Sequence, residues 1–383
     1  MNRTKPIAAL EKAQKYAASL NNPSVEAFKA QGGKVIGTFD PEVPFEIFEA
    51  AGLMPFALRG TGATSTEYAD KYFKQLTCDF TRSMFNELVR GQYDFLDGAV
   101  VYNCCDHMRR IDDNWKLLPN AKNFHFLYIP KRWDASTYPR FCEEIQALIK
   151  SVEETYDVKI TADALRAAIV ESNKTRALIR QLYELRKDDE VLIDGTEVMN
   201  VLTAGESMPR AEYNAMLTEL IAELKAGGES VKPRRRLMLL SGHANTPELL
   251  SALESQGALI VVDDASNGLR MAEKDISEEG DPFAALCDFY FNVKTPMPRA
   301  FGTQDRRFET YLRLFDEYRA DGIVSARVTM CDLWAFEQYM LANLLREKDI
   351  PSLELEINYL MDSVGQVRTR VQAFVENLPR RSA

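Results

Sequence analysis

No uninterrupted apolar run in this 383-residue chain reaches the ~18 to 20 residues needed to cross a bilayer, so membrane-spanning helices are not expected. The opening stretch, MNRTKPIAALEKAQKYAASL, alternates charges with small residues. It lacks the continuous apolar segment of a secretory signal, which makes the cytoplasm the expected location. Positive charge is short as well: 47 Lys and Arg face 57 Asp and Glu, a net charge of -10. That balance excludes a nucleic-acid-binding surface, which needs clustered cations to neutralise phosphate. The one compact basic run, Lys232-Pro233-Arg234-Arg235-Arg236, precedes an apolar segment and reads as a solvated loop. Only three histidines are present, too few for a histidine-rich metal site. No Walker A motif, G-x-G-x-x-G run or G-x-S-x-G elbow occurs. The chain itself is therefore not expected to hydrolyse ATP or to bind a dinucleotide in the usual way.

What is there fits a folded protein of two or three domains, with 46% apolar and 27% charged residues. After a helical lead-in over residues 1–30, the segment 34–39 is short and apolar, Pro41 and Pro44 break the chain, and 45–51 has helical spacing closed by Gly52. A helix around 83–90 and strands over 95–102 and 123–129 follow. Short buried strands alternating with helices predict a parallel sheet covered on both faces, assigned to an N-terminal domain over 31–137. From 138 to 230 helical spacing dominates: Ile145, Leu148, Ile149 and Val152 share one face, and Leu178, Ile179, Leu182 and Leu185 share another. Thr161 is placed to cap a helix start and Gly227-Gly228 to end one. The α/β alternation resumes over 231–383, with strands expected at 237–240, 259–262, 323–328 and 352–357 and a helix at 333–346. The expected fold is α/β: two doubly wound parallel-sheet domains flanking a helical connecting domain. A short internal echo supports it, since Asp97-Gly98 leads through a strand to Cys105-Asp106 just as Asp321-Gly322 leads to Cys331-Asp332. Both cysteines fall at the C-terminal end of a strand, the ligand edge of an open parallel sheet.

Six cysteines in a reducing compartment are not expected to form disulfides. They are buried, reactive or metal-bound. Cys78, Cys105 and Cys331 share a local pattern, each followed by Asp and a helix. A thiol at that position lies near unpaired backbone N–H groups and the positive end of the helix dipole, which favours thiolate. Three such thiolates from distant segments can hold three corners of an iron–sulfur cluster. Simple burial is the competing reading, because free cysteine is a common core residue and the spacing matches no compact C-x-x-C pattern. Cys142 and Cys287 fit helix faces and read as packing, and Cys104 is directed into the core while its neighbour Cys105 faces the site. His107 could supply a proton or a hydrogen bond; His125 reads as structural, and His243 sits in a strand-to-helix turn.

The stretch GTFDPEVPFEIFEAAGLMP resembles the opening signature V-P-x-E-x-x-x-A-A-G of the 2-hydroxyacyl-CoA dehydratase and benzoyl-CoA reductase superfamily. YDFLDGAVVYNCCDHMRRIDDNW, LLSGHANTPELLSALESQGALIVVDD and DSVGQVRTRVQAFVENL resemble further blocks of that family, in its order, from about residue 34 to 378. The resemblance implies two similar α/β domains with a helical insert and a [4Fe-4S] cluster held by Cys78, Cys105 and Cys331, where Cys105, directly before Asp106, matches the family's C-D. Within the family, the length and CDHMRRIDDNW are most similar to the smaller cluster-bearing subunit of ATP-dependent, class I benzoyl-CoA reductases. The implied partners are a larger homologous subunit, two ATP-hydrolysing activator subunits with their own [4Fe-4S] cluster, reduced ferredoxin and an acyl-CoA substrate. ATP and Mg would then bind in the partners and not in this chain. The alternative is the small subunit of a 2-hydroxyacyl-CoA dehydratase, and a metal-free scaffold is a second one. His107, Asp106 and Arg109 are the candidate proton donors, being nearest the ligand in sequence. One departure stands out: relatives that include double-cubane proteins carry cysteine where this chain has Asp40.

Overall fold

The computed structural model describes residues 6–39, 42–119, 122, 124–227, 229–231, 234–244 and 246–379. Asp40, Pro41, Asn123, Gly228, Lys232, Pro233 and Asn245, which carry parts of the sequence reading, lie outside the described residues. Two four-stranded sheets organise the chain. The first contains β1 (Val35–Thr38), β2 (Met54–Ala57), β3 (Gly98–Tyr102) and β4 (Phe124–Leu127), in the order β2-β1-β3-β4. The second contains β5 (Arg235–Ser241), β6 (Ala258–Asp264), β7 (Gly322–Val328) and β8 (Ser352–Ile357), in the order β6-β5-β7-β8. Every pairing is parallel. The second order repeats the first, so the echo between the Cys105 and Cys331 regions marks equivalent third strands, β3 and β7. In each sheet the order reverses between the first and third strands. There the chain leaves to opposite sides and opens a crevice at the C-terminal edge.

Burial explains the apolar strand runs. All of β1, β3 and β6 are buried, as expected of parallel strands covered on both faces. By contrast β8 lies at a sheet edge and exposes Ser352, Glu354 and Glu356. The expected strand over 95–102 begins only at Gly98. Residues ahead of it form tight turns, with Asp94 N–H donating to Gly91 O and Leu96 N–H to Tyr93 O. Phe95 is apolar for another reason: its ring packs edge-on against Phe56 at 5.2 Å. β6 outruns its expected end because Asp263 and Asp264 continue the ladder. Burial of these two acids is made tolerable by partners: Asp263 accepts from the Tyr183 hydroxyl at 2.5 Å, and Asp264 is paired with the buried Arg270.

Between the sheets run the helices Tyr138–Tyr156, Ala162–Glu184, Gly195–Gly205 and Arg210–Gly227. Thr161 caps the second of these, its side chain accepting from Ala164 N–H at 3.1 Å. A buried ionic knot ties three parts of the chain together. Glu46, in the helix Phe45–Ala50, accepts from Arg176 and Ser172 at 2.6 Å each and from the Tyr290 hydroxyl at 2.9 Å. A second knot holds the helix Asp332–Glu347, where Arg307 donates to both carboxylate oxygens of Glu337 at 2.7 and 2.8 Å. Fully buried Arg299 reaches the carbonyl of Ile129 at 2.9 Å, fastening the C-terminal half to the exit of β4.

Candidate functional site

Each of the three singled-out cysteines is the residue that starts a helix. Cys78 precedes Asp79–Val89, Cys105 precedes Asp106–Trp115 and Cys331 precedes Asp332–Glu347. The backbone N–H three residues on meets each sulfur: that of Thr81 favours charge on Cys78 and that of Trp334 on Cys331, and that of Met108 donates to Cys105 Sγ at 3.5 Å. The turn that delivers Cys331 is strained, because Met330 adopts a left-handed φ of 65° without being glycine.

The Cys78 and Cys105 loops are joined directly. Cys78 N–H donates to His107 Nδ1 at 3.3 Å. Thr81 Oγ1 lies 3.2 Å from Cys78 Sγ and donates to Met108 Sδ at 3.8 Å. Cys331, which follows β7 of the second sheet, packs on the same apolar core as Cys78 and Cys105. Burial pushes its thiol up to about 12, and the neighbouring Cys78 and Cys104 thiols push in the same direction. Burial likewise raises Cys78, helped by Asp79 and Cys104 and opposed by Thr81. Asp332, beside Cys331, acts on His107, whose pKa is lowered by burial and held up by Asp332 and Asp106. On that shared core, Trp334 of the Cys331 helix lies against Gly242, next to the His243 that stacks on Phe80 of the Cys78 helix.

Cys104 is buried as expected, but not by strand parity: β3 ends at Tyr102, and Cys104 lies in the bend before the helix. Its presence raises the pKa of both Cys78 and Cys331, so it stands as a fourth thiol beside them. Asp106 and Arg109 face outward: they form an ion pair of 3.6 Å with side chains 78% and 54% exposed, on the rim of the region. Cys142 and Cys287 belong to the helices Tyr138–Tyr156 and Pro282–Asp288, packed as expected and remote in sequence from the site. His243 stacks flat on Phe80, with ring centres 3.8 Å apart and planes 2° from parallel. Sequence reasoning gave no signal for that contact, nor for Trp334 packing on Gly242, where a Cβ would collide with the indole nitrogen.

No three His, Cys, Asp or Glu among the described residues are close enough to grip a single metal ion. A cubane cluster spaces its ligands more widely than one ion does, and its charge answers what the thiols lack. Buried thiols that repel one another stay protonated unless cationic iron lies among them. Weakly polar neighbours (Thr81, Met108, Trp334) and helix N–H groups suit a sulfur-ligated group. The donor set therefore fits an iron–sulfur cluster better than a hard cation, which demands oxygen ligands.

The chain is 25% identical over 352 residues to a subunit of the benzoyl-CoA reductase of Thauera aromatica, covering 90% of this chain and 91% of the relative. It is 26% identical to the putative dehydratase subunit YjiM of Escherichia coli, over 93% and 94% of the two chains. To the β subunit of (R)-2-hydroxyglutaryl-CoA dehydratase from Acidaminococcus fermentans it is 27% identical, over 97% and 99%. Each of these relatives is a subunit of a dehydratase or a reductase. The family model described as 2-hydroxyglutaryl-CoA dehydratase, D-component, matches residues 42–378, and the chain belongs to that family.

Proposed function

We propose that this chain is the iron–sulfur subunit of an ATP-dependent benzoyl-CoA reductase, which dearomatises the ring of benzoyl-CoA or a substituted analogue to a cyclic dienoyl-CoA. What supports the cofactor reading is the Cys78–His107 hydrogen bond between two cysteine-bearing helix starts, together with the packing of Cys78, Cys105 and Cys331 on one apolar core. The benzoyl-CoA assignment draws on the likeness to the Thauera reductase subunit. In this reading Cys78, Cys105 and Cys331 hold a [4Fe-4S] cluster. The cluster supplies one-electron chemistry at a potential set by burial and by hydrogen bonds to sulfur.

The chain's own residues do the rest. Phe80, His243 and Trp334 supply aromatic surface on and beside the cysteine-bearing helices, and His107 holds the Cys78 backbone in place. His107 is the best placed of the candidate proton donors: with Nδ1 accepting from Cys78, its Nε2 carries the proton. Asp106 and Arg109 would act from the rim. Partners in this reading are a larger subunit of the same fold, two ATP-hydrolysing activators with a cluster of their own, and reduced ferredoxin. An apolar stripe suits the first of them: Phe336, Tyr339 and Met340 are exposed on the helix that Cys331 begins, beside exposed Met330. No helix among the described residues is long and apolar enough to cross a membrane.

A second reading is the small subunit of a (R)-2-hydroxyacyl-CoA dehydratase, which would remove water from its thioester substrate. It is favoured by the family description and by the Acidaminococcus β subunit, which aligns over 97% of this chain. Assaying the complete complex with benzoyl-CoA and with a 2-hydroxyacyl-CoA, under reduced and ATP-fed conditions, separates the two. Iron analysis of the anaerobically purified protein separates both from a metal-free scaffold: the cluster reading expects about four irons for this chain.

A further inference from the structure

Arg299 is 1% exposed, yet among the described residues no carboxylate lies within ion-pair distance of it. Four other buried arginines differ. Arg176 meets Glu46 at 2.6 Å, Arg186 meets Asp263 at 3.9 Å, Arg307 meets Glu337 at 2.7 Å, and Arg270 is paired with Asp264. Burying a cation without an opposite charge is costly, so its retention calls for a use. The guanidinium is bonded to backbone carbonyls only. Nη2 donates to Ile129 O at 2.9 Å and to Asn103 O at 3.5 Å, and Nη1 to Pro130 O at 3.4 Å. Nε has no hydrogen-bond partner, and the Tyr102 ring lies 5.5 Å from the group. Carbonyl dipoles and a ring face satisfy donors but carry no full negative charge, so the positive charge persists.

These contacts put the cation at the C-terminal ends of β3 and β4, beside the bend that delivers Cys104 and Cys105. Asn103, which precedes the two cysteines, is held three ways. Its N–H donates to Leu127 O at 3.3 Å, its Oδ1 accepts from Ile129 N–H at 2.9 Å, and its carbonyl accepts from Arg299. Cys104 N–H then closes the bend on Tyr102 O at 2.8 Å. The guanidinium is not needed to fasten its own segment. Phe301 N–H donates to Lys131 O at 2.8 Å, and Phe301 O accepts from Trp133 N–H at 3.1 Å. Backbone bonds therefore already tie this stretch to the exit of β4, which leaves the charge unexplained by fastening alone.

We propose that Arg299 is the built-in counter-charge of the Cys104–Cys105 bend, a positioning residue that orients Asn103 and stabilises negative charge gathered at the cysteine sulfurs. The inference rests on the proposed cluster and adds a residue of this chain that sets how readily the cluster accepts an electron. Reduction adds one electron, and with it one negative charge, without making or breaking a bond. A fixed cation nearby favours the reduced state, and burial weakens the solvent screening that would hide it.

The test is a reductive titration of the anaerobically purified full chain, followed by electron paramagnetic resonance, with titanium(III) citrate supplying the electron. Parent, Arg299→Met and Arg299→Lys are compared, and iron content and the melting transition are measured on the same samples. Arg299→Met is expected to disfavour reduction about tenfold, a midpoint lower by about 59 mV. Arg299→Lys keeps the charge without the planar fork and is expected to stay within about threefold of the parent. An unchanged midpoint in iron-loaded Arg299→Met, or equal shifts in the Met and Lys variants, would overturn the proposal and leave a structural clamp. Should Arg299→Met fail to fold, Arg299→Lys decides: a folded, iron-loaded Lys variant with the parental midpoint supports the need for charge, and any other outcome overturns it. An iron-free parent removes the cluster reading together with this inference, whereas parental iron with an unchanged midpoint in Arg299→Met removes this inference alone.

Discussion

His107 accepts the backbone N–H of Cys78 at 3.3 Å through Nδ1, although 29 residues separate them. The bond couples two cysteine-bearing helix starts, so the position of one sulfur depends on the loop that carries the other. Replacing His107 by Ala frees the Cys78 amide while leaving every thiol present. Partners of this kind typically change metal affinity about 10–100-fold. We expect His107→Ala to lose iron to a chelator at least tenfold faster than the parent chain; equal retention would count against a positioning role.

Cys104 and Cys105 are neighbours with opposite settings, one buried and one partly exposed. The proposed function takes Cys105 as the ligand, while Cys104 is the neighbour that raises the pKa of Cys78 and Cys331. Cys105→Ala is expected to abolish the brown colour and the iron, and Cys104→Ala to keep both. The reverse result would move the third ligand one residue back.

Glu46 gives the fold a defined acid sensitivity. Burial pushes its carboxyl up, but the Arg176 charge and the hydrogen bonds from Ser172 and Arg176 outweigh that and bring it down to about 2, from an ordinary 4.5. A depressed carboxyl stabilises the folded state above its ordinary pKa, and the contribution is lost as pH falls through 4.5 towards 2. The amount is about 3 kcal/mol at ~1.4 kcal/mol per unit. Denaturant melts at pH 7 and pH 3 should show about 2 kcal/mol of this loss in the parent chain, the rest following only as pH falls towards 2. Glu46→Gln should be less stable at pH 7 and nearly free of this acid slope.

Phe336, Tyr339 and Met340 expose 77%, 66% and 44% of their surface on one face of the Cys331 helix. Residues so exposed contribute little to the isolated chain, and substitution there is expected to change its stability by no more than about 0.5 kcal/mol. Phe336→Glu should leave the melting transition in place and abolish co-purification with the larger subunit. Unimpaired co-purification would place that interface elsewhere.

Much of the architecture was legible because it depends on local chemistry. Gly52 closes a short helix at φ 72°, Thr161 caps a long one, and unbroken apolar runs become strands buried on two faces. The failures share a cause. Phe95 is apolar because it meets Phe56 from another strand, and Asp263 and Asp264 enter a buried strand because Tyr183 and Arg270 arrive from elsewhere. No window of neighbouring residues contains such partners.

The same division holds at the site. Cys-Asp at the start of a helix is a short-range pattern, so sequence alone determined which thiols would sit at helix N-termini and that two of them follow equivalent strands. Whether sulfurs 253 residues apart (78 to 331) come within electrostatic reach was decided only by the docking of two sheets, and so was the entry of Cys104 into their company. The carbonyl-bound guanidinium of Arg299 and the stack of His243 on Phe80 were equally out of view. Burial and charge act through space. A chain read in order carries their ingredients but not their distances.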